Sequence, residues 1–344
     1  MKNTSIVVLL IVFIFFGCSK KKSSDIYQKK RNNILNLEDK INEINTKLLF
    51  GTSLLYIIDD FLIINEVKPR NNKCIHLFNK TTFEYITSTG DIGKGPGEIT
   101  RPGRIGLDKK NKTLWLQDHG KQVIWKFEID SILKNKKYKP SKKIKLNNDL
   151  FIERFSFLND SIAIGKAVKV INNSSYEMVM VKLNILKNKI EKFGYEHPKI
   201  IGKKSNSLFT LSKNNNIYAN CYTLCDLITV CELDGNLKYN IYGPDFSENK
   251  DNKNTYFNGV DITKNYIITS YIGDKGIVFN KNKRPRGSLP SKFIIFNLDG
   301  KYIKTIELAY KFTTFCVDKE NDRIIALFNK KNPLGYIEIK NLDL

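Results

Sequence analysis

Residues 54–87 read LLYIIDDFLIINEVKPRNNKCIHLFNKTTFEYIT, and four short runs stand out: Leu54–Ile58, Phe61–Asn65, Ile75–Phe78 and Phe83–Thr87. Each is rich in branched or aromatic residues and is bounded by Asp, Asn, Lys or Pro. Apolar runs this short, between turn formers, are strands rather than helices. The same four-run grouping recurs down the chain. A second set is Arg104–Leu107, Thr113–Gln117, Val123–Ile129 and Lys142–Leu146. A third is Ile152–Phe157, Ser161–Lys166, Glu177–Leu183 and Lys189–Phe193. The fourth holds Leu208–Leu211, Asn216–Cys221, Leu227–Leu233 and Leu237–Ile241. The fifth holds Gly259–Ile262, Tyr266–Tyr271, Lys292–Asn297 and Tyr302–Glu307. The last contains only three: Thr313–Val317, Arg323–Asn329 and Gly335–Ile339.

First runs begin at Leu54, Arg104, Ile152, Leu208, Gly259 and Thr313, so the spacing is nearly even. A period of roughly 50 residues with four strands per unit is the signature of propeller blades. The sixth set lacks a fourth strand, and Thr46–Phe50 at the other end supplies a spare one. Pairing the two closes the ring and removes two exposed sheet edges. The expected fold is therefore all-β: a six-bladed β-propeller of four-stranded antiparallel blades, the last closed by an N-terminal strand. Asp234-Gly235 and Asp299-Gly300 fit tight hairpins between third and fourth strands, because glycine there supplies a positive φ. The two lie more than one period apart, and an insertion at Gly273–Pro290 accounts for the excess.

Upstream of the repeats the chain changes character. Lys2 precedes Ile6–Phe16, an unbroken run of 11 apolar residues, then Gly17-Cys18 and the basic Ser19-Lys20-Lys21-Lys22. The run is too short to span a bilayer but fits the apolar core of an export signal. A cysteine after a small residue at its end resembles a bacterial lipobox. That resemblance implies a diacylglycerol on the Cys18 thiol, which becomes the mature N-terminus. The expected organisation is residues 1–17 as signal peptide, 18–45 as lipidated tether and 46–344 as propeller. Leu37, Ile41, Ile44 and Leu48 step at helical spacing, but a solvated polar spacer is the preferred reading of that tether.

Composition bounds the function. A chain of 344 residues with 41% hydrophobic content, 16 Tyr and 21 Phe is globular rather than disordered. The formal charge of +22 comes mostly from scattered lysine. Scattered Lys reads nucleic acid poorly compared with clustered Arg beside stacking aromatics, so no nucleic-acid partner is expected. The charge reads mainly as a compositional bias toward Lys and Asn, with attraction to anionic membrane surfaces or acidic polymers as the functional alternative. Cys74, Cys221, Cys225, Cys231 and Cys316 are an odd number beyond Cys18, so at least one thiol stays unpaired. The Cys221, Cys225, Cys231 cluster reads best as small buried hydrophobes. A hairpin disulfide and a metal site are the alternatives.

Asp91-Ile92-Gly93-Lys94-Gly95-Pro96-Gly97-Glu98, followed by Arg101-Pro102, is the densest Gly/Pro cluster. It links the outer strand of the first blade to the inner strand of the second, and reads as a rigid crossover. Glu98 stands where a phosphate loop needs its third glycine. Together with Phe78–Ile86, Leu114-Trp115-Leu116-Gln117-Asp118 and Ile124–Ile129, this segment resembles the TolB-like six-bladed β-propeller lipoproteins. Phe293–Thr305, Phe315–Asp318 and Asn321–Arg323 resemble that family's later blades. The resemblance implies the fold and an exported lipoprotein, and no catalytic residues.

Direct search for enzyme motifs yields no anchor. The three histidines, His76, His119 and His197, form no metal-binding spacing, and no nucleophile elbow occurs. The ligand or crossover contacts singled out are Glu98, Arg101, Asp118 and His119. Trp115 and Trp125 read as packing between blades. The expected function is a membrane-anchored, non-enzymatic binding or scaffolding module for a protein or glycan partner, held in the bilayer through Cys18 and without a cofactor. The alternative is a propeller hydrolase or lyase with a metal-assisted site in the central channel. Ser19 beside the lipid-bearing cysteine resembles outer-membrane sorting, with a periplasm-facing position favoured.

Overall fold

Apolar strands joined by short turns fold back on their neighbours, and each set of four becomes one antiparallel sheet. The computed structural model describes residues 24–344 apart from 38–39, 141–142, 146–149, 173–174, 202–205, 248–252, 280–281 and 343. Cys18 and Ile6–Phe16, the run expected to form an export signal, lie outside the described residues. The first blade is Thr52–Ile58, Phe61–Lys68, Lys73–Asn79 and Tyr85–Asp91. The second is Pro102–Asp108, Thr113–Asp118, Val123–Glu128 and Lys143–Lys145. The third is Leu150–Phe157, Ile162–Asn172, Ser175–Asn184 and Lys189–Lys192. The fourth is Ser207–Ser212, Ile217–Tyr222, Leu227–Glu232 and Leu237–Tyr242. The fifth is Asn254–Ile262, Tyr266–Lys275, Lys292–Asn297 and Tyr302–Glu307. The sixth has Phe312–Asp318, Arg323–Phe328 and Leu334–Glu338.

First strands touch from blade to blade around the axis, and Phe312–Asp318 returns to contact Thr52–Ile58. The ring is therefore closed. An N-terminal strand completes the sixth blade as expected, but it is Asn42–Glu43, not Thr46–Phe50. Asn42 and Glu43 pair with Tyr336 and Gly335, and the Ile44 amide donates to the Leu334 carbonyl at 3.0 Å. Leu48 and Phe50 instead pack as side chains on the seam between blades six and one. The Asp-Gly hairpins sit where they were expected, with φ of 101° at Gly235 and 80° at Gly300. A short helix, Ile129–Lys134, was not anticipated; Ile129 and Ile132 bury in the core shared by blades one and two.

The segment after residue 23 departs most from expectation. It is neither a solvated spacer nor a helix, because it lies along the outer rim of three blades. Asp25–Tyr27 pairs in parallel with Leu237–Tyr242, and Ile34–Asn36 pairs in parallel with Tyr302–Glu307. Blades four and five thus carry five strands. Leu37 is 1% exposed within the core of blades five and six, and Ile44 is buried between blades six and one. Each such residue withdrawn from water contributes roughly 1.5–3 kcal/mol, which a free spacer could not recover.

Between the first two rim strands, Arg31 turns inward. Its guanidinium donates to Asp226 Oδ1 at 2.9 Å and Oδ2 at 3.1 Å, and lies 5.1 Å from the Tyr271 ring centroid. The Asp226 side chain is fully buried. Burial pushes its carboxyl above the usual range, and Arg31 opposes that push. Removing the cation strands a buried carboxylate, which costs about 3–5 kcal/mol. Arg31→Ala is therefore expected to lower unfolding free energy by that amount in chemical denaturation. Adding Asp226→Asn should recover part of it. An Arg31→Ala protein as stable as the parent would show that the rim segment is not latched by this pair.

Candidate functional site

The crossover from blade one to blade two brings the four singled-out residues to one end of the ring. Asp118 ends the second strand of blade two with its side chain buried. Its carboxylate accepts the amides of Thr100, Arg101 and Gly120 at 3.0 Å each and that of Lys121 at 3.2 Å. Four donors on one carboxylate make it a pin for the crossover, leaving it little capacity for a ligand. Glu98 accepts the Gly95 amide at 2.9 Å and the Lys139 ammonium at 3.0 Å. Those bonds hold its carboxyl below the usual range, the Lys139 bond foremost. Lys121 clamps the same loop through the Gly95 and Glu98 carbonyls, each at 2.8 Å. Glu98 is thus committed to the loop and to Lys139.

Arg101 and His119 stay exposed beside this pinned loop. The His119 amide donates to the Arg101 carbonyl at 2.9 Å, which keeps the two side chains together. Gly103 lets the imidazole lie flat on the strand, since a Cβ there would come within 2.4 Å of His119 Nε2. Partial burial of the ring, followed by the charge of Arg101, moves the imidazole below its ordinary pKa.

Deeper along the axis is a cluster that no sequence motif marks. Arg104 of blade two donates through Nε to Glu153 Oε1 at 2.9 Å, and Arg154 donates to Glu153 Oε2 at 2.8 Å. The Tyr56 hydroxyl of blade one accepts the Ile105 amide at 3.1 Å and feels both guanidiniums. The four residues sit on the innermost strands of blades one, two and three. Burial would raise Glu153, but Arg154 and Arg104 outweigh it and hold the carboxyl below the usual range. Burial pushes Arg154 down to about 10, with Arg104 adding to the effect. Two guanidiniums share one carboxylate, so the cluster keeps a net positive charge. The sequence signal was charge inside strands otherwise apolar, at the position nearest the axis in successive repeats.

Three other buried titratable side chains each have one acidic partner. His76 contacts Glu66 Oε1 at 2.8 Å and Ser88 Oγ at 2.7 Å, Lys166 meets Glu196 at 3.1 Å, and Arg323 meets Asp318 at 3.0 Å. Cys74, Cys221, Cys231 and Cys316 are buried thiols outside any disulfide. Burial pushes the Cys221 thiol well up, consistent with a packing role. Trp115 packs near Phe157 in the core of blades two and three, and Trp125 lies in the core of blades one and two. Among the described residues no group of three or more His, Cys, Asp or Glu is placed to hold a metal ion. No helix among them is long and apolar enough to cross a membrane.

Comparison with known proteins agrees with this architecture. The model of the TolB-like 6-blade propeller-like family matches residues 54–320. No curated protein matches the sequence. A DUF4221 family member from Bacteroides vulgatus superposes with TM-score 0.64 at 10% identity, over 90% of this chain and 98% of that one. A candidate exported protein from Bacteroides fragilis gives 0.54 at 11% identity, over 88% and 87%. A luciferin-regenerating enzyme gives 0.53 at 11% identity, over 86% and 93%. At such identities the likeness is one of fold, and this fold hosts both binding and catalysis.

The Glu153 geometry has a pH consequence. A carboxyl depressed in the folded state contributes stability above its unfolded pKa, near 4.5, and loses it as pH falls through the folded value. Glu153→Gln should cost roughly 2–3 kcal/mol at pH 7, because both guanidiniums lose their charge-assisted partner. The gap between parent and variant in thermal denaturation should narrow as pH falls below about 4.5 and close only once pH has passed below the depressed folded value, where the parent carboxyl is itself protonated. A gap independent of pH would show that Glu153 is not an ionised bridge.

Proposed function

The chain belongs to the TolB-like six-blade propeller family, and from that footing we propose that it is a non-enzymatic, lipid-anchored binding module of the cell envelope. The export-type run Ile6–Phe16 followed by Gly17-Cys18 supports anchorage through an acylated Cys18, with residues 1–17 removed. Ser19 favours the outer membrane, facing the periplasm. The likeness to a candidate exported protein is in keeping with that setting.

The observation that carries the binding reading is the charge imbalance on the axis. Arg104 and Arg154 flank the single carboxylate of Glu153, and Arg101 with His119 stands exposed nearby. Guanidiniums in a water-poor setting recognise carboxylates, phosphates and sulfates through paired donors. The partner is accordingly a protein or glycan that presents an anionic group to the end of the channel formed by blades one to three. A hydrolase or lyase acting through a bound metal would need several oxygen or imidazole ligands converging on the axis. Two guanidiniums at that place favour charge recognition instead.

The test is binding of the purified protein to acidic and neutral glycan and peptide arrays. Acidic members should be retained, with affinity falling as salt rises. Arg104→Gln, a half-exposed position, should weaken the interaction by about tenfold, or about 1.4 kcal/mol, as should Arg101→Gln. Equal retention of neutral members, or turnover of any array glycan, would reject this assignment.

A further inference from the structure

The insertion in blade five forms a feature that neither the family nor the channel explains. Ile277–Phe279 and Pro285–Gly287 make a separate two-stranded hairpin, pairing Ile277 with Gly287, Val278 with Arg286 and Phe279 with Pro285. Side chains alternate across a strand, and cross-strand partners share a face. One face therefore presents Ile277, Phe279 and Pro285, and the other presents Val278 and Arg286. Ile277 is 62% and Phe279 69% exposed. At Gly287, opposite Ile277, an added Cβ would meet nothing within 4 Å, so this apolar face is uncovered.

Charge frames the apolar face. Lys275, Lys283, Arg284 and Arg286 are all exposed, and no Asp or Glu occurs from Lys275 to Gly287. The hairpin is fixed to the ring at its root. The Gly276 amide donates to the Lys253 carbonyl and the Ser288 amide to the Gly276 carbonyl, both at 3.0 Å.

Topology extends the argument across neighbouring blades. In a four-stranded blade, the turn from second to third strand and the crossover to the next blade emerge on the same side of the ring. The hairpin is one such turn. Exposed Val170 and Ile171 sit at the equivalent turn of blade three, and exposed Leu224 at that of blade four. Three successive blades thus present apolar tips on one side. Apolar tips with a cationic surround match the boundary of an anionic bilayer, where hydrocarbon lies beneath a layer of negative headgroups.

We propose that the blade-five hairpin, with the adjoining tips of blades three and four, is a membrane-docking surface that seats one edge of this side of the propeller on anionic lipid, leaving the blade one-to-two crossover with Arg101 and His119 open to its partner. Phe279 and Ile277 enter the acyl boundary while Lys283, Arg284 and Arg286 contact headgroups. The proposal takes its membrane setting from the envelope reading above, and its test is separate from that of the channel.

Phe279→Trp in the full-length protein provides a local reporter, because Trp115 and Trp125 are buried and give a constant background. Anchorage at the N-terminus, through an acylated Cys18 or through Ile6–Phe16 where that run is retained, is common to both lipids, so the reporter reads only the hairpin. On phosphatidylglycerol vesicles carrying brominated acyl chains, the added emission should shift to the blue and be quenched. Phosphatidylcholine vesicles should give at most a tenth of that response. Lys283→Glu with Arg286→Glu should reduce it by at least about tenfold, roughly a factor of three to five for each cation lost. The proposal is overturned by a reporter that stays in water on anionic vesicles, or by an equal response to both lipids. It is also overturned if the charge reversals have no effect. A blue shift without vesicles that grows with protein concentration would assign the face to a second copy of the chain, and would likewise overturn it.

Discussion

A ring of radial sheets has no stable half-way state, since an open ring leaves two inward blade faces and two strand edges without partners. Closure here depends on Asn42–Glu43 completing the sheet whose other strands end the chain. The contact spans nearly the whole sequence, so every blade is held in place by a pairing between the two termini. Phe312–Asp318 packing on Thr52–Ile58 transmits that closure to the axis. The relative positions of Arg104 and Glu153, on different blades, are set by the same constraint.

The N-terminal segment does more than close the ring. It covers the outer edges of blades four and five with parallel strands before completing blade six. Among the described residues no further strand pairs with the outer edges of blades two and three, and their outer strands carry Lys143, Lys145, Lys189 and Lys192. Lysine on an exposed edge opposes pairing with another chain. The molecule thus protects one side of its rim by coverage and the other by charge. Arg31 fixes the covering segment at its midpoint through a fully buried carboxylate, where loss of either partner is costly.

Two regions carry chemistry that the blades do not require. The axial cluster of Tyr56, Arg104, Glu153 and Arg154 concentrates positive charge, whereas the buried cations Lys166 and Arg323 each face a single carboxylate. The hairpin Ile277–Gly287 exposes apolar side chains amid basic ones, whereas exposed apolar residues in globular proteins are normally scattered. Replacing these side chains would leave the six-blade count unchanged, because that count follows from the repeat and from closure.

The strand periodicity, the missing fourth run of the last set and the Asp-Gly hairpins were legible in the chain as written. Each is a local pattern repeated often enough to exclude other arrangements. The crossover role of Asp91–Pro102 was legible for the same reason, because glycine and proline restrict the backbone wherever they occur. The path of residues 24–45 was not legible. Ile26, Leu35 and Leu37 alternate too briefly to signal strands, and their partners lie at the far end of the chain, in blades four to six. The axial arginine pair was equally hidden. Arg104 and Arg154 stand one period apart in the sequence and meet only because each repeat returns the chain to the axis. Local pattern determined how many blades there are. Long-range packing alone decided which segment binds the rim and which charges converge at the centre.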